Sequence, residues 1–333
     1  MAENFNVRLN EAKYYTPEAS CREQSWIGDY NRAYQAFLAD PDGFWDSAAR
    51  ELEWFQPWDQ VREWEYPHAR WFVNAKLNIT HNCLDRHAHS QRRNKVALMW
   101  RGETEDEERI LTYRQLLQEV CRFANGLSRL GVRKGDRVCI YMPVVPEQIV
   151  AMLACARIGA IHTVVFGGFG VSALNQRIRG TAAKVVITAD FTYRRGKAIP
   201  LKNIVEEAVV KAPSVERIVI LRRDAEKPVE IHPEMEVDYH DLMNGVGREC
   251  PPEPMDAEDP LFILYTSGTT GSPKGIVHAC GGYMVGTYYT TKHIFDVKDS
   301  DIYWCTADPG WITGHSYGVY GPLLNGATCL ITE

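Results

Sequence analysis

Apolar and polar positions along this chain follow two periods, and the changes of period mark out its elements. From Lys95 onward, short apolar runs of strand length alternate with longer stretches whose apolar residues recur three and four apart. Val96–Trp100 predicts a strand. Thr112-Tyr113 predicts the start of a helix that places Leu116, Leu117, Val120, Phe123, Ala124 and Leu127 on one face. After Gly131 and the polar turn Arg133 to Asp136, Val138–Met142 predicts a buried strand. Pro143 to Glu147 predict the start of a second helix, which runs through Met152, Cys155 and Ala156 to Gly159. Ile161–Phe166 and Lys184–Thr188 predict further strands, and Ala327–Thr332 a last one with an exposed edge. Alternation of this kind predicts a layered α/β domain. No repeat or low-complexity tract interrupts it, and the one linker-like stretch is the proline-rich, acidic Cys250 to Pro260.

The first 92 residues read differently. Seven of the nine tryptophans fall in the first hundred positions, six of them in this leader at 26, 45, 54, 58, 64 and 71, so it packs on something rather than trailing as a tail. Asp40 to Trp45 predicts a turn into a helix, with Ala48, Leu52 and Phe55 spaced for one face. His81, His87 and His89 lack the spacing of a ligand set and read as hydrogen-bonded scaffold, with metal binding the alternative. Asn78-Ile79-Thr80 matches a glycosylation acceptor by chance.

The densest chemistry lies at Leu261–Gly275. An apolar run, Leu261 to Tyr265, predicts a buried strand, and Thr266 to Gly275 follow as TSGTTGSPKG. Glycines let successive N–H groups turn into one hollow, the hydroxyls of Thr266, Ser267, Thr269 and Thr270 add donors, and Lys274 adds charge. A polyphosphate is the natural guest; a surface turn between strands is the bland alternative. A Walker-type loop is excluded, because Pro273 removes the N–H before the lysine and Gly275 offers no hydroxyl after it. The stretch resembles the phosphate loop of the adenylate-forming acyl-CoA synthetases. The leader, from Tyr34 through Asp40 to Trp45, Trp58, Trp71-Phe72 and Asn82 to His87, resembles that of their acetyl-CoA-synthetase branch, and the resemblance runs over essentially all 333 residues.

Composition agrees with a soluble globular protein: 45% apolar and 24% charged residues. A net charge of −6 argues against nucleic acid, and no apolar run reaches membrane-spanning length. Nine scattered cysteines without a C-x-x-C, and no signal segment at the start, point to the cytoplasm.

Two motifs compete with this reading. Gly168-x-Gly170-x-x-Ala173 with Asp190 twenty residues after Gly170 imitates a dinucleotide fingerprint, but it follows at least two strand–helix units instead of opening the fold. Gly314-His315-Ser316-Tyr317-Gly318 imitates a hydrolase elbow, yet no Asp or His follows Ser316. In the synthetases, F-G-G-F lies near the coenzyme A site and W-x-T-G-H-S-Y lines the acyl pocket. The resemblance therefore places Trp311 and Thr313 there, Thr313 nearest the acyl-adenylate carbonyl and on the coenzyme A side. The alternative is a Gly-bracketed turn that packs Trp311 and Tyr317 into the core. The basic run Arg194, Arg195, Gly196, Lys197 is a solvated face on its own terms. By resemblance it grips the 3′-phosphate end of coenzyme A, with Lys197 standing where the family carries a second arginine.

The resemblance implies the large α/β N-terminal domain of an adenylate-forming enzyme, with residues 1–92 a leader wrapping it and 93–333 the first part of the AMP-binding domain. It implies an acid–thiol ligase using acetate, ATP, Mg2+ and coenzyme A, with propionate or another short acyl group as the alternative. Thr266, Ser267, Gly268, Thr269, Thr270, Gly271 and Lys274 would hold the ATP phosphates. The family's nucleotide and magnesium motif and its small C-terminal domain are expected beyond residue 333. A non-catalytic, nucleotide-binding role for these residues alone is the other expectation.

Overall fold

A computed structural model describes residues 16–104, 106–223, 229–266 and 273–333. The strands and helices of the α/β part follow the apolar periods. β1 (Val96–Arg101) and β2 (Glu108–Thr112) form a hairpin that leads into α1 (Tyr113–Arg129). Thr112 caps α1 with a reciprocal pair of bonds: its hydroxyl accepts from the Gln115 N–H, and the Gln115 side chain accepts from the Thr112 N–H. Next come β3 (Arg137–Tyr141), α2 (Pro146–Arg157), β4 (Ile161–Val164), α3 (Val171–Thr181) and β5 (Val185–Ala189). A hairpin of β6 (Phe191–Arg194) and β7 (Lys197–Pro200) precedes α4 (Leu201–Val209), β8 (Arg217–Leu221) and β9 (Glu236–Asp238). The chain ends with β10 (Pro260–Thr266), β11 (Lys274–Ala279), α5 (Cys280–His293), β12 (Ile302–Trp304) and β13 (Thr328–Thr332).

The main sheet has seven strands in the order β9-β8-β5-β3-β4-β10-β11, parallel throughout except for β11. The strand β3 sits between β4 and β5, so the chain crosses from β3 to one side and then back over β3 to the other. Right-handed crossovers in opposite directions put α2 and α3 on opposite faces. Accordingly α1 packs on α2, and α3 packs on α4. A crevice opens at the carboxyl ends of β3 and β4, where the two loops part. A second sheet, β12-β13-β1-β2, brings its own strand ends to the same place.

Three expectations need correction. The second helix starts at Pro146, not Pro143, because a proline disfavours the helical region for the residue before it and Val145 is extended. The strand β13 is not an edge: it is held between β12 and β1, both parallel to it. The leader helix Pro41–Ala49 stops before Leu52, so Leu52 is buried while Phe55 is exposed.

The leader shares one core with the α/β part. Trp54, Trp58 and Phe72 stack edge to face, and Trp45 and Phe44 rest on Tyr289 of α5. Trp26 and Trp64 are the exceptions and stay half exposed or more. Asn78 is buried, so it is no sugar acceptor in the folded chain. Its amide N–H groups donate to the carbonyls of Ala156, Arg157 and Glu253 at 2.9–3.1 Å. Beside it Arg157 and Asp85 form a buried forked pair at 2.8 and 2.9 Å.

Three histidines are also buried. The Pro309 carbonyl can only accept, so His315 carries its proton on Nδ1, 3.1 Å away. His315 Nε2 then accepts from His162 Nε2–H at 3.2 Å. Burial pushes His87 and His315 each down to about 3, and His162 well below its ordinary value.

Asp85→Asn keeps the shape and removes the charge, leaving the Arg157 guanidinium buried without a counter-ion. The loss should be about 3–5 kcal/mol in urea unfolding. Glu63→Gln, which breaks the exposed Arg70–Glu63 pair, should cost under about 1 kcal/mol. Equal shifts in the two midpoints would refute the assignment.

Unfolding returns each buried ring to an ordinary value near 6.5. Between that pH and about 3 the unfolded chain therefore binds more protons than the folded one. The contribution is fully present above pH 6.5 and is lost as the pH falls toward 3. His315→Gln should flatten the decline of the urea midpoint between pH 7 and pH 5; an unaltered slope would mean that the ring is not held neutral.

Candidate functional site

The phosphate loop leaves β10 at Thr266 and returns into β11 at Lys274, residues that face each other across the antiparallel pair. The loop thus joins two strands and does not open a helix, in keeping with the exclusion of a Walker site. Lys274 is exposed and Thr266 half-buried. Ser267, Gly268, Thr269, Thr270 and Gly271 lie outside the described residues.

Two cavities open at the crevice between the strand ends, and they share Phe166 and Asp308 as a common wall. One, of about 230 Å³, lies under the β6–β7 hairpin and is lined by Gly167, Gly168, Arg194, Thr306 and Glu333. The other, of about 330 Å³, is lined by Phe169, Arg177, Tyr265, Gly310 and Trp311. Tyr265 precedes Thr266, so this second cavity lies beside the departure of the phosphate loop. The Arg177 guanidinium sits 4.5 Å from the Phe169 ring centre and 5.5 Å from that of Tyr265. Burial pushes the Asp308 carboxyl above its ordinary value, against the pull of a Gly310 N–H that donates to it at 2.7 Å.

The basic run forms the tip of the β6–β7 hairpin. Arg195 and Gly196 have φ of 52° and 72°, the positive pair of a two-residue hairpin turn, and glycine takes the second position without strain. Arg194 lines the first cavity, its guanidinium 5.8 Å from the Phe166 ring centre. Arg195, Gly196 and Lys197 are exposed and line neither cavity, but Lys197 is the register partner of Arg194.

Two residues that the sequence did not single out fix this hairpin. Arg223 grips Glu333 with two bonds of 2.6 and 2.7 Å, both side chains nearly buried. Glu333 also accepts from Thr192 Oγ1 and the Tyr193 N–H, each at 3.1 Å. With 110 residues between the partners, no local signal announces the bridge.

The W-x-T-G-H-S-Y stretch contains a π-helical turn, Gly314–Tyr320. A Cβ on Gly314 would lie 2.3 Å from the carbonyl oxygens of Ala307 and Asp308, so only glycine lets this turn pack against the cavity wall. Trp311 is half exposed and lines the second cavity rather than the core. Thr313 is exposed and lines neither cavity; its carbonyl meets the Cys305 thiol at 4.0 Å.

The competing motifs are otherwise engaged. Asp190 accepts from the Phe191 and Arg223 N–H groups, which occupies the oxygens a ribose would need. Ser316 is buried and bonded to the Tyr283 hydroxyl at 2.9 Å. His81 meets Glu53 at 2.7 Å, and the His87 ring lies tilted against that of Tyr113 at 5.0 Å. Glu206, His232 and Glu236 come close enough to hold a cation, and the Lys202 ammonium fills that place at 2.5 Å from Glu206 and 3.2 Å from Glu236. All nine cysteines are free thiols, and no described helix is long and apolar enough to cross a membrane.

Comparison with known proteins agrees with this layout. A family model for AMP-binding enzymes matches residues 84–333, and one for the acetyl-coenzyme A synthetase N-terminus matches residues 30–83. The acetyl-coenzyme A synthetase of Gemmatimonas aurantiaca is 51% identical over 335 residues, 99% of this chain and 51% of the relative. That of Deinococcus radiodurans is 49% identical over 334 residues, again 99% and 51%. The solved acetoacetyl-CoA synthetase from Streptomyces lividans superposes with a TM-score of 0.86 at 26% identity, over 96% of this chain and 51% of its own. The chain spans about half the length of the curated relatives it matches. It belongs to the family of AMP-binding enzymes, with an acetyl-coenzyme A synthetase N-terminal segment ahead of the AMP-binding region.

Proposed function

We propose that this chain supplies the phosphate-binding and coenzyme A-binding surfaces of an acetate–CoA ligase that forms AMP. The observation that carries the reading is the pair of cavities that share Phe166 and Asp308, one beside the phosphate loop and one under the basic hairpin. A carboxylate is a poor acylating agent, so the first step attacks the α-phosphate of ATP and releases pyrophosphate. In the second, the thiol of coenzyme A attacks the acyl-adenylate carbonyl and AMP leaves. Two substrates that meet at one carbonyl call for two adjoining compartments.

On this reading the loop from Thr266 to Lys274 positions the β- and γ-phosphates in the cavity beside Tyr265, an electrostatic and orienting role. The sequence places Ser267, Gly268, Thr269, Thr270 and Gly271 in the same task. Magnesium enters with ATP, since hydroxyls and an ammonium suit phosphate oxygens rather than a metal. Trp311 walls the acyl side. Thr313, which lines neither cavity as they stand, is assigned by motif alone. Arg194 faces the 3′-phosphate of coenzyme A, and Lys197 stands beside it. The free thiols suit the reducing cytoplasm. Residues 1–92 serve as the structural leader and 93–333 as the AMP-binding region.

Half the length of the relatives is outside this chain, and that favours binding without turnover for residues 1–333 alone. Purified by itself, the chain should give no acetate-dependent consumption of coenzyme A with MgATP; steady turnover would contradict the assignment of roles.

The two half-reactions separate Lys274 from Arg194. In a protein that joins this chain to the downstream half, Lys274→Ala should lower acetate-dependent ATP–pyrophosphate exchange by roughly 10²–10³. Arg194→Ala should leave exchange near wild type and raise the KM for coenzyme A roughly tenfold, as a lost charge-assisted bond of about 1.5–3 kcal/mol requires. Dephospho-coenzyme A should be used equally well by both forms. Loss of exchange in Arg194→Ala, or an equal effect on both coenzymes, would make the hairpin structural.

A further inference from the structure

A separate cleft of about 760 Å³ lies between the leader, the first turns of α1 and the proline-rich stretch before β10. It shares no lining residue with the two cavities at the strand ends. Its floor is the buried Asp85–Arg157 pair, braced by Arg157 Nε donating to the Cys250 carbonyl at 2.5 Å. Leu117, Cys121 and Pro251 give it apolar walls.

Its rim is cationic. Arg93, Arg114 and Arg248 come from three different segments and line this one cleft. None of the three guanidinium groups has an acceptor or ion-pair partner among the described residues. Of the acidic lining residues, Asp85 is neutralised by Arg157, which leaves only Glu249. In a chain with a net charge of −6, three guanidinium groups without a carboxylate around one hollow run against the overall charge. The guanidinium fork fits phosphate oxygens two at a time. A rigid proline and a leucine offer flat apolar surface for a ring, and the volume suits a small organic molecule.

We propose that this cleft binds an organic polyphosphate of the nucleoside diphosphate class, with its phosphates on Arg93, Arg114 and Arg248 and its ring against Leu117 and Pro251. The site is independent of the ligase reading, because none of its residues takes part in that chemistry.

The test is calorimetric titration of the 333-residue chain, carrying Lys274→Ala to weaken the phosphate loop, with inorganic tripolyphosphate and with ADP at low salt. Both probes should bind, and ADP should bind more tightly than tripolyphosphate despite its fewer phosphates, because the walls take the ring. Adding R93A, R114A and R248A together should weaken both by roughly a thousandfold, since each lost charge-assisted contact is worth about tenfold or more. The three side chains are exposed, so the melting temperature should stay unchanged. Absence of binding, or binding indifferent to the triple replacement, would overturn the site. Tripolyphosphate binding at least as tightly as ADP would overturn the nucleotide class.

Discussion

Two right-handed crossovers that leave β3 and β4 in opposite directions govern the rest of this structure. Handedness is imposed by the twist of the strands, so the chain has no choice of face once the strand order is set. The loops after β3 and β4 must then part, and what lies between them is a concavity lined by strand ends. Met142-Pro143 from one strand and Phe166-Gly167-Gly168 from the other line it together. The short β12 and β13 add a third and fourth strand end through Cys305 to Pro309 and Glu333. Fixed backbone from four strands therefore surrounds a space in which mobile side chains have little to correct.

The leader is tied into that arrangement by buried polar contacts. Asn78 ties three carbonyls from α2 and the stretch before β10, and Arg157 at the end of α2 is clamped by Asp85. A buried ion pair of this kind adds little net stability over an apolar pair, but it leaves few alternative ways to dock the segment. The aromatic cluster on Tyr289 fixes α5 from the outer side. Residues from the first ninety positions thus hold both α2 and α5.

Much of this was legible in the sequence, for identifiable reasons. Parallel strands buried on both faces read as continuous apolar runs, so β3, β4, β5 and β10 stand out. The amphipathic face of α1 and its Thr112–Gln115 cap are local, and local features are readable. The start of α2 was misplaced because Val144 and Val145 look helical until the constraint of Pro146 is applied. The interior position of β13 depends on pairing with β1, more than two hundred residues earlier, which no local pattern encodes. Likewise Phe166 belongs to a visible motif, but its role as a partition with Asp308 exists only once the strands converge.

The basic hairpin shows how a surface feature of the sequence acquires direction. In an antiparallel pair, residues directly opposite one another project to the same side, so Arg194 and Lys197 place two positive charges together. Like charges in that position repel, and a hairpin of ten residues, two strands of four joined by Arg195 and Gly196, has little else to hold it. The compensation comes from outside: Glu333 receives Thr192 and Tyr193, Arg223 locks Glu333, and Glu103 accepts from the Gly196 N–H. Phe166 then gives the Arg194 guanidinium a face to rest on, which narrows the rotamers open to a long side chain at the hairpin's end.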